Sequence, residues 1–291
     1  MDLLLIVGVS GSGKSVAIAA LEDSGYYGVS NLPVSQLAGL LAHLKSAQQD
    51  RVAIVLDVKT EGIAGIAPAI AAARRDGWTV RFLYLDAKTE TLVKRFSETR
   101  RRHPFSNEQR TLTEAIEFER ERLADVRSLG YRFDTSELSA AALRLWIKDF
   151  ISVDPSRLTL LFQSFGYKHG VPLDADLVFD VRCLPNPYWE PELAPKSGVD
   201  PEVIEYLERQ PESERMYRDI YHFVASWLPD YARDNRIYLT VAIGCTGGRH
   251  RSVYLVERLA RAFAGRYQVL IRHRELEQSA NASMASAKMT A

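Results

Sequence analysis

Cysteine is scarce in this chain, neither sign of charge is in excess, and no long hydrophobic run occurs. Cys183 and Cys245 are the only cysteines in 291 residues, which excludes a disulfide framework and a four-cysteine zinc site. Lys plus Arg number 37 and Asp plus Glu number 37. A protein that coats nucleic acid through bulk charge is thereby excluded, and any such contact must come from a local patch. The longest early apolar run, Leu3–Val7, is far short of the roughly 20 residues of a membrane helix and of a signal-peptide core. The chain therefore reads as cytoplasmic, without a lipid anchor or a tightly bound structural metal. At roughly 150 residues per domain the length corresponds to about two domains, each long enough to bury its own core.

The first half alternates strand and helix. Leu3–Val7, Val52–Leu56, Val80–Leu85 and Tyr131–Phe133 read as buried strands. Between them, helical spacing predicts helices over 34–48, around Ile63–Ile70, over 89–102 and 113–129, and then over 139–151. This pattern belongs to the α/β class, a parallel sheet with helices on both faces. Ser152–Ser156 breaks it, dividing a domain over 1–152 from a second, smaller α/β domain over 157–277. In that domain Leu158–Phe162, Leu177–Val181, Tyr238–Ile243 and Tyr267–Ile271 read as strands, and Pro201–Arg209 and Glu212–Asp234 as helices. The Ala/Ser-rich segment 278–291 lacks periodicity and is expected to be disordered.

Gly8-Val9-Ser10-Gly11-Ser12-Gly13-Lys14-Ser15 fits G-x-x-x-x-G-K-[ST] at every fixed position and lies between a predicted strand and helix. Glycines let the backbone curl so that several N–H groups point at a phosphate chain. In this reading Lys14 reaches the β- and γ-phosphates and Ser15 offers a hydroxyl to Mg²⁺. Asp57 and Asp86 each end an apolar strand. Asp57 is the preferred candidate to position the metal with Ser15, and a turn or cap carboxylate is the plainer alternative. The stretch Lys94–Arg110 holds six basic residues against two acidic ones. Such a segment can fold over a nucleotide and stabilise charge on a transferring group, or form a solvated helix face.

A second strand–glycine-loop–helix pattern occupies Gly244–Ser252. Cys245, Thr246, Gly247, Gly248, Arg249, His250, Arg251 and Ser252 are its candidates for holding a phosphate or phosphosugar. Cys245 and Arg251 also fit C-x5-R, the spacing of cysteine-dependent phosphatases. Tyr167–Gly170 and the Tyr188–Trp189 pair are candidates to line a pocket, with a core position as the alternative. Seven arginines against two acids between Arg249 and Glu275 form a local basic excess. It reads either as an RNA-facing patch or as a solvated face with an anion pocket.

Taken together, Gly8–Ser15, Asn31-Leu32-Pro33, Asp57-Val58, Thr99–Arg101 with His103-Pro104, Phe165–Gly170, Leu184–Pro187 and Leu239–Gly248 resemble the RapZ (YvcJ) family. These are nucleotide-binding proteins that in some bacteria act as ribonuclease adapters for small RNAs. The resemblance implies a kinase-like P-loop domain that binds ATP through Gly8–Ser15 and a guanine-nucleotide site at Asp57, Val58, Lys59 and Thr60. It also implies weak ATPase and GTPase activity, with Mg²⁺ carried by the nucleotide. A homo-oligomer is expected as well, of a subunit number the sequence does not give. For the second domain the resemblance implies sensing of a phosphorylated aminosugar. In the adapter branch that domain also binds small RNA, for which Arg266, Arg272 and Arg274 are the candidates here.

Three departures bear on this. Ser30 replaces an Asp common before Asn-Leu-Pro, removing an acceptor-orienting carboxylate and counting against kinase activity. Lys59 and Thr60 stand where Arg and Asn or Ser are common. Glu275-Leu276-Glu277-Gln278 leads into a neutral tail where the adapter branch carries a basic cluster. The leading expectation is a regulatory nucleotide-binding protein. Its rivals are a small-molecule P-loop kinase, a cysteine phosphatase, and an RNA adapter whose nucleotide is only a structural ligand.

Overall fold

The computed structural model describes residues 1–57, 63–154, 157–233 and 238–276. The chain divides into two compact units, Met1–Pro155 and Ser156–Ala291.

The first unit runs β1 (Asp2–Gly8), α1 (Lys14–Glu22), β2 (Tyr27–Pro33), α2 (Leu37–Ser46), β3 (Arg51–Asp57), α3 (Ile66–Arg75), β4 (Thr79–Asp86), α4 (Thr89–Thr99), α5 (Leu112–Arg122), β5 (Tyr131–Asp134) and α6 (Ala140–Ser152). Its five strands are parallel in the order β2-β3-β1-β4-β5, the parallel α/β architecture that the alternation predicts. Side chains alternate across a strand. Leu3, Leu5 and Val7 of β1 therefore share one face with Leu37 and Leu41 of α2, Ile66 and Ile70 of α3, Leu92 of α4 and Ile116 of α5. Leu4 and Ile6 face the other way and are equally buried. On that side α6 stacks Trp146 on Phe133, with ring centroids 3.5 Å apart, and packs along α1.

Three local features differ from the sequence-based expectation. Strand β2 carries no apolar run (Tyr-Gly-Val-Ser-Asn-Leu-Pro) because it is an edge strand with mostly exposed or half-buried side chains. Its register shifts between Val29 and Leu32, where Asn31 adopts a left-handed φ of 57°. Helix α4 stops at Thr99, not Arg102, because Arg100 takes a left-handed φ of 51°. The segment expected as one helix over 113–129 is α5, opened by a capping box of Thr111 and Glu114, followed by a separate turn over Val126–Ser128.

The second unit runs β6 (Thr159–Gly166), β7 (Leu177–Asp180), α7 (Pro201–Glu208), α8 (Pro211–Arg233), β8 (Tyr238–Cys245), α9 (Arg251–Phe263) and β9 (Gln268–His273). Its four strands are also parallel, in the order β7-β8-β6-β9. Helices α7, α8 and α9 gather on one face over Leu160, Phe162, Val241 and Ile243. The opposite face carries Thr159, Gln163, Thr240, Arg272 and Arg274, all buried. Among the described residues no helix is long and apolar enough to cross a membrane. The segments 58–60 and 278–291 lie outside the described residues.

Candidate functional site

In the first unit the glycine loop follows β1 where the sheet leaves it no room for side chains. A Cβ on Gly8 would lie 2.2 Å from the Leu85 carbonyl oxygen of β4. Gly13, with φ 101°, caps α1 in a conformation that favours glycine. The turn is closed by Ser12 N–H donating to Val9 O at 3.1 Å. Lys14 Nζ curls back over the loop and donates to the carbonyls of Gly8 (2.6 Å) and Val9 (3.1 Å). The N-terminus of α1 opens at the same place, so amide donors and helix polarity converge where an anion would sit.

Helix α4 is docked onto this loop. Arg95 donates to Gly11 O (3.1 Å), to Thr135 Oγ1 (3.1 Å) and to Thr135 O (2.6 Å). Burial pulls its guanidinium below its ordinary pKa, with Asp134 and two glutamates opposing. Phe96 closes against Gly11, where an added Cβ would meet its ring at 3.2 Å.

A buried relay holds the loop on its other flank. Glu119 of α5 accepts the Ser10 amide at 2.7 Å and the Ser10 hydroxyl at 2.8 Å. His103 Nδ1 accepts the Phe105 amide at 3.2 Å, so Nε2 carries the proton that faces Glu119 Oε2 at 3.1 Å. Burial pushes the Glu119 carboxyl up. The His103 bond, the charge of Lys14 and the two Ser10 donors outweigh it and hold the group below the usual carboxylate range. Sequence reasoning missed Glu119. Its signal was an acid on the buried stripe that α5 forms with Ala115 and Ile116.

These elements enclose a cavity of about 670 Å³. Ser10, Gly11, Gly13, Lys14 and Ser15 of the loop line it, and so do Asn31, Arg101 and Arg102. Of the strand-end aspartates, Asp86 accepts the Ala87 amide at 2.8 Å and Arg120 at 3.3 Å. Burial raises its pKa, with Arg120 and the amide only partly offsetting it. Asp57 ends β3, the strand paired with β1 on the side away from β4. The basic run divides by role. Arg95 is structural, Arg110 stacks on Phe118 at 3.9 Å, exposed Lys94 reaches Glu98 at 4.0 Å, and Arg101 and Arg102 face the cavity.

In the second unit β8 runs into Cys245 and α9 starts at Arg251. Cys245 Sγ accepts the Gly248 amide at 3.2 Å and lies 3.2 Å from Ser252 Oγ. Gly248 has φ 70°, and a Cβ there would lie 2.3 Å from Glu275, which also accepts the Gly166 amide at 2.9 Å. Arg251 is buried. It donates to the carbonyls of Arg182 (2.9 Å) and Leu184 (3.0 Å) and to Thr246 Oγ1 (3.3 Å). A guanidinium turned to three oxygens of its own chain, beside a thiol in the apolar core, counts against a cysteine phosphatase. His250 is also buried. Desolvation lowers its pKa, with the carbonyls of Leu193 and Lys196 opposing. Thr246 is exposed, and Gly247 and Arg249 are half-buried at the loop surface.

Two expectations are corrected. Arg272 and Arg274 do not face solvent, since each is 2% exposed. Arg272 pairs with Asp174 at 3.6 Å, and Arg274 donates to Glu275 (3.1 Å) and to the carbonyls of Gly166 (3.2 Å) and Gly170 (2.8 Å). These bonds fix the sheet face, so neither side chain is presented to RNA. Arg266 is exposed. Tyr188 and Trp189 are 64% and 79% exposed on the short turn Pro187–Trp189, so the core alternative does not hold for this pair.

Comparison with known proteins agrees over both units. The model of the RapZ-like N-terminal domain matches residues 1–154 and that of the RapZ C-terminal domain matches 158–277. A nucleotide-binding protein of Thiobacillus denitrificans is 58% identical over 95% of this chain and 100% of its own length. One of Azoarcus sp. is 56% identical over 94% of both chains. A sugar kinase structure from Janibacter sp. aligns with 54% of this chain and 97% of that one at 18% identity and TM-score 0.37. At that level the fold assignment rests on the strand order above and not on the match. With both domain models matched in sequence order, and relatives more than half identical end to end, the chain belongs to the RapZ family.

Proposed function

We propose that this chain is a regulatory protein whose first unit binds ATP with Mg²⁺ on Gly8–Ser15. The observation that carries the reading is the cavity built on that loop. Lys14 and Arg95 are bonded to the loop and line the cavity, and among the described residues no Asp or Glu does. A cleft lined by one sign of charge concentrates ligands of the other. The names of the relatives, nucleotide-binding proteins, support the same reading.

The roles follow from the donors. Lys14 orients the phosphates, as a point charge suited to them. Ser15 lines the cavity and would offer Mg²⁺ a hydroxyl. Asp57, which ends β3 and is not among the cavity-lining residues, would supply a carboxylate. Both are hard oxygen donors of the kind Mg²⁺ takes alongside phosphate oxygens. The metal, when bound, neutralises charge on the β- and γ-phosphates. Asp57 with Val58, Lys59 and Thr60 is the guanine-nucleotide segment the family resemblance implies. Hydrolysis of ATP or GTP is expected to be slow, because no carboxylate among the described residues lines the cavity to activate water or a hydroxyl acceptor. That same feature, with Ser30 in β2 where a carboxylate is common, disfavours a small-molecule kinase.

For the second unit, the loop at 246–247, the N-terminus of α9 and the side chains of Thr246 and Arg249 suit the phosphate of a phosphorylated sugar. RNA binding would rest on Arg266 and other exposed arginines, without Arg272 and Arg274.

Ligand-induced stabilisation of the full chain tests the proposal. A ligand at one hundred times its dissociation constant adds about 2.7 kcal/mol. ATP and GTP are expected to stabilise the first unit and aminosugar phosphates the second. Protection by neither nucleotide at millimolar concentration would overturn the reading of the first unit.

A further inference from the structure

We infer that the cavity of the first unit holds a second phosphate group beside the nucleotide triphosphate, gripped by Arg101, Arg102 and Asn31. This rests on the reading of Gly8–Ser15 as the triphosphate loop.

Of the four cations that line the cavity, Lys14 belongs to that loop. Arg95 already bonds Gly11, Thr135 and Leu138 within the chain. The remaining pair, Arg101 and Arg102, are exposed neighbours in sequence, and no carboxylate among the described residues lies within ion-pair distance of either. Each guanidinium presents five donors in a fork that matches phosphate oxygens. Two adjacent like charges facing one cavity repel each other, and an anion between them removes that repulsion.

The backbone presents these groups deliberately. Arg100 breaks α4 with its left-handed φ of 51°, which is uncommon outside glycine. The following residues thereby leave the helix path and border the cavity. Asn31 also borders it, from a left-handed position at the shift in β2, and supplies an amide donor where a carboxylate would repel an anion. The arginine pair is also anchored. The next residue, His103, has a fully buried side chain bonded to Glu119, which in turn holds Ser10 of the phosphate loop. The loop and the segment that carries the arginine pair are therefore tied to one another through a single buried carboxylate. A cation pair and an amide, with no base, suit a phosphate-bearing ligand and not a neutral hydroxyl acceptor.

The second phosphate has two possible sources, a separate phosphorylated molecule or a longer phosphate chain on the nucleotide itself. Calorimetric titration of the full chain separates them. The probes are inorganic pyrophosphate, added to protein saturated with a non-hydrolysable ATP analogue and Mg²⁺, and adenosine tetraphosphate compared with ATP. If a separate molecule is the source, pyrophosphate binds the loaded chain, and Arg101→Ala/Arg102→Ala weakens it by about tenfold to a hundredfold with a far smaller effect on the analogue. If the nucleotide is the source, tetraphosphate binds more tightly than ATP and the same double variant removes that advantage. The inference is overturned if neither pyrophosphate nor tetraphosphate responds to the double variant, or if the variant weakens ATP as much as either probe. A third arm, pyrophosphate on Lys14→Ala without nucleotide, reads the arginines alone. Failure of ATP to bind wild type sinks the nucleotide reading, whereas failure of this arm to respond to Arg101→Ala/Arg102→Ala sinks the second subsite.

Discussion

Replacing Glu119 separates the two jobs its carboxylate performs. In Glu119→Ala the Ser10 amide and the His103 N–H lose their acceptor in a place where the His103 and Glu119 side chains are 0% and 1% exposed. Each orphaned buried donor costs about 1–3 kcal/mol, and two are orphaned here. The expected loss for the first unit is therefore about 4 kcal/mol, or on the order of 10 °C in its unfolding transition.

Glu119→Gln behaves differently. The amide oxygen can take the place of Oε2, which accepts both Ser10 N–H and His103 Nε2–H. The amide nitrogen can then donate to Ser10 Oγ, whose hydroxyl turns to accept. Only the charge is lost, at about 1–2 kcal/mol.

The pH dependence follows from the direction of the Glu119 shift. A carboxyl whose pKa is lower in the folded state stabilises fully above its unfolded value, about 4.3. That contribution is lost as pH falls through the lower folded value. The gap between wild type and Glu119→Gln is expected to be constant from about pH 5 to 8 and to close below about pH 4. Denaturant unfolding at several pH values measures it. Glu119→Ala within about 1 kcal/mol of wild type, or Glu119→Gln as costly as Glu119→Ala, would refute the relay.

Two further outcomes concern the second unit. Gly248→Ala places a methyl 2.3 Å from Glu275 at a φ of 70°. It should destabilise that unit by about 2 kcal/mol or more while leaving ATP affinity unchanged, as unfolding and calorimetry would show. Alkylation followed by mass spectrometry should label exposed Cys183 well before buried Cys245. Faster labelling of Cys245 would revive a nucleophilic role for it.

The parts of the fold legible in the sequence were those whose chemistry is local. Strands β1, β3 and β4 announce themselves because both faces are buried, so every residue from Leu3 to Val7 or Val52 to Leu56 must be apolar. The phosphate loop is legible because its glycines answer to short-range demands, the approach of Leu85 to Gly8 and the left-handed turn at Gly13. Strand β2 is hidden because an edge strand needs no apolar run. The ends of α4 and α5 are hidden because Arg100 and Leu123 carry no stop signal, and in α4 a left-handed arginine does the work of a glycine.

Long-range partners were the other blind spot. Glu119 lies 109 positions from Ser10, and nothing in its neighbourhood names that partner. Arg272 and Arg274 looked like surface charge because a basic stretch carries no mark of burial. Only the placement of Asp174, Gly166 and Gly170 reveals their role in the interior.

Calorimetric titration of wild type and Lys14→Ala with Mg·ATP tests the central claim most directly. Lys14 also bonds two loop carbonyls and its charge favours the Glu119 carboxylate, so the unfolding temperature of the variant is measured beside its affinity to show that it is folded. Its affinity for ATP should fall about tenfold to a hundredfold, the worth of one or two charge-assisted bonds to phosphate. Equal affinity of the two proteins for ATP, with the variant folded, would contradict the account.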